Sequence, residues 1–174
     1  MIHEKWFISD THFFHANMLK FVDDQGHRIR KFNSLDEMHE TIAQNWNALV
    51  KDEDYVYHLG DVTFQYHQPF RQLMKRLKGK KRLHLGNHDR VHKQSPLLDV
   101  FEKIMLWHGF KEYNFTTTHM PMIKGTFRDG DFNVHGHTHE HILDDPHYIN
   151  VCVETRNYTP VHLDTIIEEI KRVN

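Results

Sequence analysis

Apolar residues in this chain come in short runs, and several runs end on the same kinds of polar residue. Lys5-Trp6-Phe7-Ile8 reads as a strand buried on both faces, and it leads into Ser9-Asp10-Thr11-His12. Tyr55-Val56-Tyr57-His58-Leu59 reads as a second strand and meets Gly60-Asp61. Lys81-Arg82-Leu83-His84-Leu85 is a third. It meets Gly86-Asn87-His88-Asp89, where Gly86 is expected to let the backbone turn sharply. Between these runs the period lengthens. Residues 16–22 fit a short helix. Ser34-Leu35-Asp36-Glu37 makes a capping box, with Ser34 capping a helix and Glu37 reaching back to it. That helix runs to about residue 50, with Leu35, Met38, Ile42, Trp46 and Leu49 on one apolar stripe. Residues 69–77 fit another, with Phe70, Leu73, Met74 and Leu77 spaced at three and four.

The second half is mostly short strands. Residues 96–100 fit one helical turn. Strands are expected over 101–107, 113–118, 132–134 and 148–153, with turns at Gly109, Gly125, Asp129-Gly130 and Asp144-Asp145-Pro146. Asp164 is expected to cap a last helix over 165–173. Alternating strands and helices followed by strands predict an α/β domain with layered sheets rather than a simple parallel one. The 174 residues suffice for one domain spanning 1–174, and no repeat or linker interrupts them.

Composition adds one departure from the ordinary. Apolar residues at 39% and charged residues at 26% describe a soluble globular chain. A net charge of −2 gives no sign of a broad nucleic-acid-binding surface, so nucleic acid enters only as a possible substrate. No apolar stretch is long enough to span a membrane, and the start lacks a signal-peptide core. Cys152, the single cysteine, rules out an internal disulfide and fits a reducing, cytoplasmic setting. Histidine is the departure: 18 of 174 residues, several of them clustered where strands should end.

Those positions carry metal-binding chemistry. Open α/β folds bind ligands at the carboxyl ends of strands. Residues two apart in an extended chain point the same way, so Asp10 and His12 are expected to project together. So are His137 and His139 in Val134-His135-Gly136-His137-Thr138-His139, with Thr138 turned away. Asp61 adds a carboxylate able to bridge two cations, Asn87 an amide oxygen and His119 a further imidazole. One tetrahedral zinc would use four ligands. Seven nitrogen and oxygen donors suit two cations about 3.5–4 Å apart. Mixed imidazole and carboxylate ligation favours Mn, Fe, Co, Ni or Zn over Mg or Ca, and Mn is the expected choice. His88 adjoins Asn87 and points the other way, where an imidazole suits proton transfer to substrate near neutral pH.

Asp10-x-His12, Gly60-Asp61, Gly86-Asn87-His88-Asp89, His119 and Gly136-His137-Thr138-His139 resemble the five ordered motifs of the calcineurin-like metallophosphoesterase superfamily. The resemblance covers residues 8–139, and its fuller wording is similar to small bacterial and phage members. It implies a four-layer α/β/β/α sandwich of two mixed β-sheets flanked by helices. It also implies that Asp10, His12 and His139 hold one metal and Asn87, His119 and His137 the other. Asp61 would bridge them, and His88 would serve the substrate. One feature departs from the protein serine/threonine phosphatases of that superfamily. Val62-Thr63-Phe64 follows Asp61 in place of their Asp-Arg-Gly.

The expected activity is hydrolysis of phosphate esters by a metal-bridging hydroxide attacking in line, with His88 assisting the leaving oxygen. Small phosphodiesters are favoured, because no cap domain or arginine cluster encloses a dianion. The alternatives are a phosphomonoesterase or a nuclease using the same site, or a non-catalytic protein-binding scaffold. The oligomeric state is left open. Several residues keep two readings. His15 either reaches phosphate or caps the next helix, and Asn17 reads as a cap. His58 and His135 read as structural, His141 and His147 as surface, and Cys152 as a small buried residue. Arg30, Arg90, Arg128 and Arg156 are loop candidates for phosphate contact. Asn150 and Glu154 are polar residues in an apolar strand, placed to support the site.

Overall fold

The computed structural model describes residues 3–93, 95–126 and 131–173. Arg128 and the Asp129-Gly130 turn lie outside them. Strands β1 (Lys5–Ile8), β2 (Tyr55–His58), β3 (Lys80–His84) and β4 (Lys103–Met105) pair in parallel. β9 (Val161–His162) adds antiparallel to β1, giving the order β4-β3-β2-β1-β9. Because side chains alternate across a strand, Ile8, Val56 and Leu83 share one face. There they pack with α1 (Leu35–Leu49), α2 (Gln68–Arg76) and α3 (Leu97–Val100) through Met38, Ile42, Trp46, Phe70, Met74 and Leu97. Phe7 and Tyr57 point the other way, into a second sheet.

That sheet runs β5 (Trp107–Phe110), β6 (Phe115–Thr118), β7 (Phe132–His135) and β8 (Tyr148–Asn150), in that order. β5 and β6 are antiparallel, and the other pairs are parallel. Phe110, Phe115, Phe132, Val134 and Ile149 meet Phe7 and Tyr57 between the sheets. Leu163, Ile166 and Ile170 of α4 (Leu163–Val173) join the same cluster. Two mixed sheets therefore lie face to face with helices flanking them, the layered α/β arrangement expected of the chain.

Several local expectations change. The 101–107 run is not one strand. It breaks at Leu106, with β4 in the first sheet and β5 in the second. Gly109 sits inside β5 and makes no turn. The 148–153 strand stops at Asn150, and Val153–Arg156 forms a 3-10 turn. The 16–22 helix is reduced to a 3-10 turn at Ala16–Leu19, which contains Asn17 rather than being capped by it. The α1 stripe ends at Trp46, since Leu49 is 42% exposed. Its capping box is offset by one residue. Ser34 Oγ accepts from Glu37 N–H, but the Glu37 carboxylate accepts from Asn33. Asp164 lies in the first turn of α4, and its own N–H is accepted by His162 Nδ1.

What matters for function is how the sheets join at one end. Just past β1, Ser9 N–H donates to the Val151 carbonyl and Val153 N–H donates to the Ser9 carbonyl. The chain leaving β1 is thereby stitched to the chain leaving β8.

Candidate active site

Every expected ligand follows the carboxyl end of a strand. Asp10 and His12 follow β1, Asp61 follows β2, Asn87 follows β3, His119 follows β6, and His137 and His139 follow β7. Asp10 and His12 do converge, with Nε2 of His12 3.6 Å from Oδ1 of Asp10, but not on an extended chain. Asp10, His12, Asp61, His137 and His139 all have left-handed backbones, with φ of 58°, 47°, 55°, 70° and 49°. L-residues adopt that region sparingly, and such residues cluster at sites where the surroundings hold them in place. Gly86 also has a different job from the one expected. Its φ is not positive; instead, a Cβ there would run into Asp61 Oδ1 and the Asp61 nitrogen. Gly136 has the same reason to lack a side chain, because a Cβ would strike Ser9 Oγ and Asp10 Oδ2.

The two carboxylates share one design. Asp10 Oδ2 accepts from Ser9 Oγ at 2.6 Å, from His137 N–H at 2.8 Å and from Cys152 Sγ at 3.2 Å. Its Oδ1 is buried with no hydrogen-bond partner, 3.6 Å from His12 Nε2 and 3.8 Å from His139 Nε2. Asp61 Oδ1 accepts from His88 N–H at 2.9 Å. Its Oδ2 lies 3.7, 3.6 and 3.9 Å from Nε2 of His12, His119 and His88. Each carboxylate is thus held by one oxygen and presents the other to imidazoles. Burial opposes ionisation of Asp10, but contact with His12 and the charges of His119 and His139 hold its carboxyl well below the usual range.

The imidazoles are oriented from behind. His119 Nδ1 donates to the Leu59 carbonyl at 2.8 Å, and His139 Nδ1 to Glu154 Oε1 at 2.8 Å. Both therefore turn Nε2 toward the carboxylates, the tautomer that metal-ligating histidines need. Burial works against charge on His139, but the hydrogen bond and charge of Glu154 outweigh it and raise its pKa. Burial lowers that of His12, whose two ring nitrogens make no hydrogen bond. Asn87 Oδ1 faces His119 Nε2 at 2.9 Å, and in the neutral ring both are acceptors. The His137 ring lies 5.1 Å from that of His119. Unpartnered buried acceptors and opposed lone pairs are what a cationic group would satisfy. Donor atoms of Asp10, His12 and His139 lie within 4.8 Å of one another, as do those of Asp10, Asp61 and His119, so the residues present fit divalent ions.

Asn150 and Glu154 support the site as expected, while the arginines and Asp89 take places that sequence alone could not give them. Arg30 is fully buried and makes no exposed phosphate contact. Its guanidinium bonds Glu154 Oε1 and the carbonyls of Asp10 and Thr11. It clamps the left-handed turn from beneath and holds the carboxylate that orients His139. Arg156 is spent on a two-point pair with Glu169. Arg90 stays exposed in a cleft of about 270 Å³ with Phe64, Tyr66, Asn87 and His88. Asn150 donates to the Thr138 hydroxyl and the carbonyls of His139 and His141, fixing the β7 loop. Asp89 has a role that sequence reading did not assign. Its carboxylate accepts N–H bonds from Asp61, Val62 and Gly86, tying the β2 and β3 loops together.

The remaining histidines divide as follows. His58 Nε2 bonds the Thr11 hydroxyl, and burial pushes its pKa down to about 3. His135 bonds the Gly136 carbonyl through Nδ1. His141 is exposed, and half-buried His147 pairs with Asp145. His15 makes no side-chain cap and stacks on Phe64 instead.

Comparison with known proteins agrees with this geometry. The calcineurin-like phosphoesterase family model matches residues 5–170. The uncharacterized protein MJ1445 of Methanocaldococcus jannaschii is 33% identical, over 96% of this chain and 91% of its own length. The crystal structure of the protein of unknown function AQ665 from Aquifex aeolicus superposes with a TM-score of 0.76 at 25% identity. That match covers 96% of this chain and 99% of that one. A looser likeness, at a TM-score of 0.47 and 19% identity, reaches Pseudomonas putida nuclease MPE over 78% of this chain and 61% of that one. The fold, the ordered strand-end residues and the match along nearly the whole sequence place this chain in the calcineurin-like phosphoesterase family.

Proposed function

We propose that the chain is a dinuclear, metal-dependent phosphoesterase that favours small phosphodiesters, acting as one catalytic domain in the cytoplasm. Asp10, His12 and His139 would hold one ion and Asn87, His119 and His137 the other, with Asp61 shared. The observation that carries the reading is the pair of carboxylates, each anchored through one oxygen and presenting the other to imidazole nitrogens, with Asp10 Oδ1 buried and unpartnered. Two divalent ions there, Mn for preference, would supply positive charge to phosphoryl oxygens and lower the pKa of a water molecule.

The chain's own residues do the rest. His88 stands at the rim with its side chain 42% exposed and its backbone fixed by Asp61. Its ring is free to give a hydrogen bond or proton to the leaving oxygen. Arg30 and Arg156 are committed elsewhere, which leaves Arg90 alone of the four loop arginines considered, Arg128 lying outside the described residues. One guanidinium suits a diester with a single negative charge better than a monoester dianion.

The test uses Mn-loaded protein, with about two ions per chain expected. kcat/KM should be higher for bis(p-nitrophenyl) phosphate than for p-nitrophenyl phosphate at one pH. His88→Ala should keep its metal and lose about 10²–10⁴-fold in turnover. A clear monoester preference would make the protein a phosphatase. Saturation at one ion with full activity would end the dinuclear reading.

A further inference from the structure

The cleft beside His88 is built around an exposed aromatic ring. Phe64 stacks one face on His15, with centroids 4.0 Å apart and planes 9° from parallel. It is nevertheless 42% exposed, and its ring centroid lies 4.7 Å from that of His88. Tyr66 lines the same cleft. Its hydroxyl donates to the His88 carbonyl and accepts from Arg90 N–H at 2.7 Å, so it fixes the segment that carries both His88 and Arg90. Phe64, Tyr66 and Arg90 thus line a cleft of about 270 Å³ at the edge of the site.

Several large apolar side chains are as exposed as Phe64, but among the described residues it is the one of them that lines the cleft beside His88. Its position suits a ligand with a flat π-face. The cleft is smaller than the roughly 300–1,000 Å³ of drug-sized pockets, so it has room for one ring system rather than an extended chain. A net charge of −2 offers little to a polyanion. We propose that Phe64, Tyr66 and Arg90 form a subsite for a nucleobase carried by one ester group, which makes the substrate a small nucleotide phosphodiester. The proposal rests on the phosphoesterase reading, because His88 joins the two sites.

Competitive inhibition tests it, because an inhibition constant does not depend on how tightly the reporter itself is held. Adenosine 5′-monophosphate and ribose 5-phosphate share sugar and phosphate and differ by the base. Each is titrated against hydrolysis of bis(p-nitrophenyl) phosphate by Mn-loaded protein. Losing a base–aromatic stack typically weakens binding about 5- to 150-fold. The adenylate should therefore bind the wild type more tightly by at least about fivefold. Phe64→Ala should raise its constant to that of the sugar phosphate while leaving the latter unchanged, and Phe64→Trp should restore the gap. Equal constants in the wild type would overturn the subsite and leave the phosphoesterase standing. So would a Phe64→Ala variant that weakens both ligands alike, which would reduce Phe64 to a support for His15. No reporter hydrolysis with Mn, Fe, Co, Ni or Zn would fail the phosphoesterase reading itself and take this proposal with it.

Discussion

Glu154 is the residue on which the orientation of the site converges. One carboxylate oxygen accepts from Arg30 Nε and Nη2 and from His139 Nδ1. Burial would push this carboxyl up, but the charges of Arg30 and His139 hold it down, so it stays ionised. In Glu154→Gln the charge is lost and Arg30 is left buried without a counter-ion. An ion bound by Asp10, His12 and His139, as proposed, should then bind about 10–100-fold more weakly, the usual cost of removing a partner behind a ligating histidine. Calorimetric titration with Mn should show one binding step moving and the other holding. Equal weakening of both steps would mean a global effect. At this scale the polar residues that gather at the strand ends could be read from the sequence, because each sits in a short motif at the end of an apolar run. Their supports could be read only in part. Arg30 and Glu154 are 124 residues apart, and nothing local announces that they meet. Cys152 looks like filler in sequence, yet its thiol, kept protonated by burial, donates to Asp10.

At the scale of elements, the loops after β1, β2, β3 and β7 approach so closely that two crossings admit only glycine. Gly86→Ala would drive a methyl group into Asp61, and the loop would have to retreat from the site. Metal content and thermal midpoint should fall together, by clearly more than in Gly26→Ala. Gly26 also has a positive φ, but nothing lies within 4 Å of its Cβ position, so that change should cost only about 1 kcal/mol of backbone strain. Comparable losses in the two variants would show that steric contact at Gly86 is unimportant. The elements themselves were legible where apolar runs had clear ends, as for β1, β2, α1 and α2. Legibility failed where one run feeds two sheets, as at Leu106, because hydrophobicity marks burial without saying in which layer. β9, with two residues, is too short to leave a pattern.

For the whole molecule, histidine links stability to pH. His84 on β3 reaches across to Thr117 on β6, joining the sheets through Nε2 at 2.8 Å. Thr117 Oγ1 donates to the His108 carbonyl, so His84 donates to Thr117 and stays neutral. Burial pushes the pKa values of His84 and His58 down to about 3. Between pH 6.5 and 3 the unfolded chain takes up protons that the folded one refuses, so stability falls as the solution is acidified. The limiting slope is about 1.4 kcal/mol per pH unit for each histidine. Urea melts of the metal-free protein from pH 7 to 4.5 should show that slope. His84→Gln, whose amide can still donate to Thr117, should flatten it, and an unchanged slope would remove His84 from the account. Sequence reading predicted the layered sheets but could not have predicted this bond, since it depends on which faces meet.

The left-handed turns under Asp10, His12, Asp61, His137 and His139 act as a filter on ancestry. Apart from glycine, the side chains that enter this region most readily are Asn, Asp and His. All three can also donate to a metal. The replacements such turns accept most easily therefore exchange one donor atom for another and leave the loop in place. A lineage can drift between oxygen-rich and nitrogen-rich metal preference while the scaffold is inherited intact. Glutamate carries the same charge as aspartate but lacks this tolerance. In the metal-free protein, Asp10→Glu should accordingly lower the thermal midpoint more than Asp10→Asn, even though it is the substitution that charge alone would favour.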